Sequence, residues 1–161
     1  MRASLILLML AGLLTCAPRK ADSPVAPPLV PASGPRVILP DGYVVEVEVA
    51  AEDDIRAQGL MYRDRVREGF GMLFFFRTSE IYPFWMKNTL IPLDIIWIGE
   101  DWKVVDVKSG VPPCQAEPCP SYAPSGRAKY VLELGSGVAA QHAVRVGSQL
   151  RLEGTENVIV R

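Results

Sequence analysis

The chain has 161 residues, which is enough for one ordinary domain and too few for two. Its 17 basic and 18 acidic residues leave a formal net charge of −1, so it lacks the basic excess that nucleic-acid binding requires, and we expect no nucleic-acid partner. Hydrophobic residues make up 49% of the chain, which is enough to build a packed core.

The first 16 residues have the features of a bacterial secretion signal. Arg2 is a short positive start, and Leu5–Leu14 is an uncharged apolar run. This run is shorter than the roughly 20 residues that a membrane-spanning helix needs, so we predict a signal peptide over residues 1–16. Its end, Leu13-Leu14-Thr15-Cys16, resembles the lipobox of bacterial lipoproteins, although Thr15 stands where Gly, Ala or Ser is usual.

Cys16 is therefore the predicted lipid anchor, which would tether the protein to a membrane. The alternative is signal cleavage nearby, for example after Ala17, which gives a soluble secreted protein. Residues 17–35 contain six prolines and predict an extended spacer. We expect the folded domain over residues 36–161, exported to the periplasm or another extracytoplasmic space.

The domain sequence predicts many short strands. Residues 43–49 alternate between valine and polar residues, and the turn at 40–42 makes residues 36–39 their hairpin partner. Further strands are predicted over 71–76, 84–86, 94–98, 102–107, 129–134, 148–152 and 157–160, with 94–98 and 102–107 as a hairpin. Helices are predicted over 51–61 and from Gly135 to about Ala143. The pattern favours a mainly β, compact sandwich or jelly-roll-like domain with one or two short helices.

Two cysteines remain after Cys16, and both lie in a proline-rich loop. Export places Cys114 and Cys119 in an oxidising compartment, so we predict a disulfide. A zinc site needs about four ligands, whereas the chain has one histidine, His142, and no second cysteine pair. A redox pair prefers the tighter C-x-x-C spacing. We expect no metal and no cofactor, and His142 has no nucleophile motif near it that would indicate a hydrolytic triad.

Three sequence blocks resemble the DUF192 (UPF0127) family. They are Gly59-Leu60-Met61-Tyr62-Arg63, Gly71-Met72-Leu73-Phe74 and Phe84-Trp85-Met86-Lys87-Asn88-Thr89-Leu90-Ile91-Pro92-Leu93-Asp94. Segments around Cys114, Cys119 and Val131–Leu134 also follow the family pattern. The resemblance implies a compact β-rich fold that is often exported. It implies no established biochemical activity and supplies no catalytic residues.

The third block also holds the densest group of polar residues in the domain. An aromatic wall, a cation, an amide and a hydroxyl suit a small polar or anionic ligand, such as a sugar or a carboxylate. The alternative is structural, with Asn88 and Thr89 tying down a turn and Asp94 accepting backbone amides. The candidate ligand-binding residues are Arg63, Trp85, Lys87, Asn88, Thr89 and Asp94.

We therefore predict an envelope-tethered domain that binds a small polar or anionic ligand or acts as an accessory module. The alternative is an enzyme that acts on an envelope glycan or a small metabolite, with Asp94 as acid/base, alone or paired with Asp106 or Glu133. Backbone amides bound to both oxygens of Asp94 would contradict the enzyme. Glu133 alternates with leucines on its strand, so it faces away from them and pairs with Lys87 or Arg63 or meets solvent.

Overall fold

The computed structural model of the chain describes residues 34–161. The predicted signal peptide over residues 1–16, its anchor Cys16 and nearly all of the predicted spacer over residues 17–35 lie outside the described residues, so they stay predictions. Within residues 34–161, no helix is long and apolar enough to cross a membrane.

The described part of the chain is mainly β with two short helices, which confirms the predicted fold class. In chain order the elements are β1 (Arg36–Ile38), β2 (Val44–Ala50), α1 (Asp53–Gln58), β3 (Phe70–Glu80), β4 (Phe84–Trp85), β5 (Leu93–Ile98), β6 (Val104–Val111), β7 (Ser121–Tyr122), β8 (Ala128–Gly135), α2 (Val138–Gln141) and β9 (Arg151–Glu153).

Seven of the strands form one curled sheet in the order β6-β5-β8-β3-β2-β1-β9. Only β2 and β3 among these neighbours are parallel, and α1 lies in the crossover that joins them. The sheet curls so far that the segments leading into its two edge strands meet. The amide of Leu150 donates to the carbonyl of Trp102 at 3.0 Å, and Lys103 bridges to Gln149. β4 and β7 form a separate two-stranded sheet.

Both faces of the curled sheet carry a hydrophobic core. The first face includes Leu73 and Leu132, whereas the second face includes Met72, Phe74 and Val131, because successive strand residues point to opposite sides. Every residue of β5 is buried, which explains why that strand is apolar without alternation. The second face is covered by segments that follow α1 and β4, and this covering forms the candidate site.

Most of the predicted strands are confirmed, with shifted ends, and the predicted hairpin of residues 94–98 and 102–107 is the β5–β6 pair. α1 is shorter than the predicted helix over 51–61, because Gly59 ends it with a positive φ of 51°. The predicted strand over 157–160 is wrong. Val158 and Val160 pack against the first core without joining the sheet. β7, which the sequence did not indicate, pairs with β4.

Candidate functional site

The two cations proposed for the ligand pocket each have a counter-ion in the fold. The guanidinium nitrogens of Arg63 lie 2.7 and 2.5 Å from the two carboxylate oxygens of Glu48. Lys87 Nζ lies 2.9 Å from Glu117 and 5.4 Å from the centre of the Trp85 ring. Glu133, which the sequence leaves to pair with either cation, forms a salt bridge with neither among residues 34–161.

Asn88 links the first and third family-like blocks. Its side-chain amide donates to the Tyr62 hydroxyl at 2.8 Å, and its backbone carbonyl accepts a hydrogen bond from the Tyr62 backbone amide at 2.8 Å. Both residues have positive φ, 55° for Asn88 and 64° for Tyr62, a conformation that costs residues with a side chain about 1 kcal/mol or more. The two hydrogen bonds hold the turn that follows α1 against the segment that follows β4.

Asp94 is fully buried in β5, and backbone amides occupy both of its oxygens. Oδ1 accepts the Gly110 amide and Oδ2 accepts the Ala139 amide, each at 2.8 Å. Glu133 lies opposite Ile95, and Asp106 lies opposite Trp97, so both belong to the second face, whereas Asp94 points to the first. Asp94 thus joins β6 and α2 to the central strand. These two hydrogen bonds contradict the predicted role of Asp94 as the acid/base residue of an enzyme.

Glu133 is the ionisable residue at the centre of the pocket that the fold does form. It lies on β8 between Met72 of β3 and Ile95 of β5, and only 5% of it is exposed. The backbone amide of Leu60 donates to its carboxyl group, whereas Oε2 has no hydrogen-bond partner among residues 34–161.

Burial among apolar neighbours raises the pKa of Glu133 to about 8, against the opposing effects of the Leu60 hydrogen bond and the charge of Arg63. The carboxyl group is therefore mostly protonated at pH 7, and it can donate as well as accept a hydrogen bond. A perturbed carboxyl group beside a pocket is a common mark of a functional site.

Gly59 lies next to this buried carboxyl group on the side of the pocket. A side-chain Cβ at Gly59 would lie 3.3 Å from the Phe74 ring and 3.5 Å from Oε2 of Glu133. The pocket has a cavity volume of about 30 Å³, and Gly59, Phe74 and Glu133 are among the residues that line it. Trp85, which is 50% exposed, and the mostly buried Thr89 also line it.

Only Trp85 and Thr89 among the six sequence candidates line this pocket. The sequence does contain a signal for Glu133, because alternation along β8 places it on the same face as the core residue Val131. A carboxylate at a core position marks a special environment. The Leu60 amide that donates to its carboxyl group comes from a distant segment, and alternation within β8 does not show that contact.

A wider cleft adjoins the pocket. It has a cavity volume of about 350 Å³, and it shares Phe84 and Trp85 with the pocket. Phe76 and Tyr82, whose rings stack 3.7 Å apart, line its far side. A ligand that places one polar group beside Glu133 therefore has room to lie along Trp85.

The strand that carries Trp85 is held by the cysteine loop. Cys114 and Cys119 form the predicted disulfide. The loop leads into β7, which pairs Ser121 with Trp85, and the Cys114 amide donates to the Met86 carbonyl at 3.2 Å. The loop also carries the counter-ion of Lys87, and it therefore positions the aromatic wall of the pocket.

His142, the one histidine of the sequence, contacts Tyr43 and Asp41. The ring of His142 stacks on Tyr43 with 3.8 Å between centroids, and Nδ1 lies 2.8 Å from Asp41. Within residues 34–161, no three His, Cys, Asp or Glu side chains are grouped so that they could hold a metal ion.

Comparison with known families identifies the class of protein that this fold and pocket represent. The model of the DUF192 family, which consists of uncharacterised ACR proteins, matches residues 36–152. The chain therefore belongs to the DUF192 family, as the three sequence blocks predict. No curated protein matches the chain.

Two solved structures resemble the chain. One is a protein from Sinorhizobium meliloti 1021 that has been proposed to be a transcription regulator, with 33% identity and a TM-score of 0.65, and the match covers 74% of this chain and 92% of that one. The other is a protein of unknown function from Novosphingobium aromaticivorans DSM 12444, with 29% identity and a TM-score of 0.65, and the match covers 84% of this chain and 99% of that one. Both agree with the β-rich fold.

Proposed function

We propose that this domain binds a small polar ligand in the pocket between Trp85 and Glu133. The observation that carries the proposal is the buried carboxyl group of Glu133, whose Oε2 has no partner within residues 34–161 and faces a pocket-lining glycine. A buried polar atom without a hydrogen bond costs about 1–3 kcal/mol, so its position beside an open pocket favours a ligand that supplies the partner.

The shape of the site favours a ligand about the size of a sugar ring. The pocket is too small for such a ring alone, but the adjoining cleft extends it along the exposed face of β4. Trp85 offers a flat apolar surface, while Glu133 and the Thr89 hydroxyl offer polar contacts. An apolar wall with few polar groups is the usual composition of a small-molecule site.

The proposed place of action is outside the cytoplasm, with the domain tethered through Cys16 or secreted in soluble form. The apolar start of the sequence and the Cys114–Cys119 disulfide support this location, because disulfides persist in oxidising compartments. The regulatory role proposed for the Sinorhizobium protein would fit a ligand-sensing module. The net charge of −1 disfavours direct contact with DNA.

The proposal is tested with Trp85→Ala in a thermal-shift and calorimetric screen of monosaccharides, amino sugars and sugar acids. Because Trp85 is half exposed and forms one wall, we expect the variant to fold normally and to bind any hit at least about tenfold more weakly. Leu90→Ala is the matched control, since Leu90 is similarly exposed and does not line the pocket. The proposal fails if no compound binds, or if Trp85→Ala binds as tightly as the wild type.

A further inference from the structure

The basic side chains around the pocket already form ion pairs with carboxylates of the fold. Arg56, which lines the pocket, contacts the carboxylate of Asp53 and donates to the carbonyl of Phe75 at 3.1 Å. Arg63, whose charge reaches Glu133, makes its two-point contact with Glu48. A ligand with a carboxylate or phosphate group would have to compete with these existing partners.

Lys87 completes this basic side, and its ammonium group is held by Glu117 at 2.9 Å. Each of the three basic side chains Arg56, Arg63 and Lys87 therefore has a carboxylate partner. The sequence expectation of an anionic ligand depends on Lys87 and Arg63 as free cations, and the fold does not leave them free.

The acidic side chain of the pocket, Glu133, forms no ion pair among residues 34–161. Glu133 lies between the apolar side chains of Met72 and Ile95, and its carboxyl group receives a hydrogen bond from the Leu60 amide. Oε2 has no hydrogen-bond or ion-pair partner among residues 34–161. When Glu133 is ionised, it is the pocket's one charge without a counter-ion in the described part of the chain.

Three aromatic rings are among the side chains that line the pocket beside Glu133. Trp85, Phe84 and Phe74 line the pocket, and the rings of Phe74 and Phe84 meet edge to face at 5.0 Å. The faces of aromatic rings attract cations, and Lys87 already lies over one face of Trp85. A buried carboxylate bordered by aromatic rings is a setting that favours an organic cation over a neutral or anionic group.

We infer that the ligand of this pocket carries a primary ammonium group, and that this group pairs with the Glu133 carboxylate beside the ring of Trp85. The inference rests on the proposed function and narrows its ligand class. An ammonium group supplies both what Oε2 lacks, a hydrogen-bond donor, and what the ionised carboxylate lacks, a positive charge.

Pairing with a cation requires Glu133 to release its proton to solvent. Binding of the ammonium ion therefore releases about one proton per ligand wherever the free site is protonated, and the affinity rises about tenfold per pH unit over that range. A neutral sugar bound by the protonated carboxyl group releases no proton, and its affinity does not change with pH over the same range. Proton release thus distinguishes the two kinds of ligand.

The experiment uses three sugars that differ only at carbon 6: 6-amino-6-deoxyglucose, glucose and glucuronate. Titration calorimetry at pH 6 and pH 7, in two buffers of different ionisation enthalpy, measures affinity and proton release together. We expect the amine to bind at least about tenfold more tightly than glucose at pH 7, with glucuronate weakest, and to release about one proton.

Glu133→Gln keeps the size of the side chain and removes its charge. We expect this variant to lose the preference for the amine and the proton release, while Glu100→Gln, on the exposed surface, behaves as the wild type. Equal or tighter binding of glucose or glucuronate, or binding of the amine without proton release, overturns the inference and leaves the proposed function in place. Failure of all three sugars to bind overturns the inference, and failure of every compound of the wider screen to bind overturns the proposed function as well.

Discussion

Glu133 combines deep burial with an ionisable side chain, and this combination links the stability of the domain to pH. Its pKa of about 8 in the folded chain lies above the ordinary value of 4.5, because burial disfavours the charged form. Between these two values the unfolded chain has released the proton and the folded chain still holds it. The free energy of unfolding therefore falls as the pH rises from 4.5 to 8.

Glu133→Gln should remove this pH dependence. We expect the variant to match the wild type near pH 4.5 and to be more stable above pH 8 by an amount on the order of 4 kcal/mol. Urea unfolding at pH 4.5, 6.5 and 8.5 measures the difference. Glu100→Gln should follow the wild type at each pH, because Glu100 is exposed. If the free energies of unfolding of Glu133→Gln and the wild type differed by the same amount at all three pH values, Glu133 would not hold a proton in the folded chain.

At the scale of elements, β4 is short and depends on its neighbours. Its two residues pair only with β7 among the described strands, and β7 follows directly from the disulfide loop. The same loop brings Glu117 to Lys87, which lies over the Trp85 ring. Cross-linking the loop therefore limits the motion of the strand that forms the wall of the pocket.

Replacing both cysteines, Cys114→Ser with Cys119→Ser, should lower stability and weaken the pocket. The closed loop is small, with a sequence separation of 5, so we expect a loss of about 2 kcal/mol in the free energy of unfolding. Ligand affinity should fall several-fold, measured by calorimetry below the unfolding transition. Glu117→Gln removes the exposed ion pair but keeps the cross-link, and it should lower stability much less than the double variant does. Unchanged ligand affinity in the double variant would show that the disulfide loop does not position the wall of the pocket.

At the scale of the whole molecule, Asp94 connects parts of the fold that are distant in sequence. Its two hydrogen bonds reach Gly110 at the end of β6 and Ala139 in α2. It lies on the first face of the sheet, and the pocket lies on the second, so its contribution to stability is separate from ligand binding.

Asp94→Asn should therefore destabilise the domain without changing the pocket. An amide offers one oxygen in place of two, so one buried backbone amide loses its acceptor, and we expect a loss of about 3 kcal/mol in urea unfolding. Asp64→Asn, at an exposed position, should have almost no effect. If Asp94→Asn kept full stability and lost ligand binding, Asp94 would belong to the site after all.

Much of the fold was predictable because strand formation follows local alternation. The valines of β2, the unbroken apolar run of β5 and the turn between β5 and β6 each determine a strand from neighbouring residues. Residues 157–160 show the limit of this reasoning. Their apolar residues look like a strand, but a strand also needs a hydrogen-bonding neighbour, and the sheet does not pair with them.

Less of the site was predictable, because pairing between charges depends on contacts between distant segments. The polar block after Trp85 has the composition of a binding site, yet Lys87 meets Glu117 and Arg63 meets Glu48, residues that the sequence does not link to them. Glu133, in turn, accepts its hydrogen bond from the amide of Leu60, a residue more than 70 positions earlier in the chain.

The amino-acid sequence by itself determined the family, the β-rich class, the disulfide and the face on which Glu133 lies, since each of these follows from local pattern or motif. The tertiary structure decided which charges are paired and which one is left without a partner. That outcome depends on the distance and burial of side chains from separate strands, because the strength of an ionic contact depends on both. The pocket beside Trp85 is therefore a property of the assembled sheet and its covering segments.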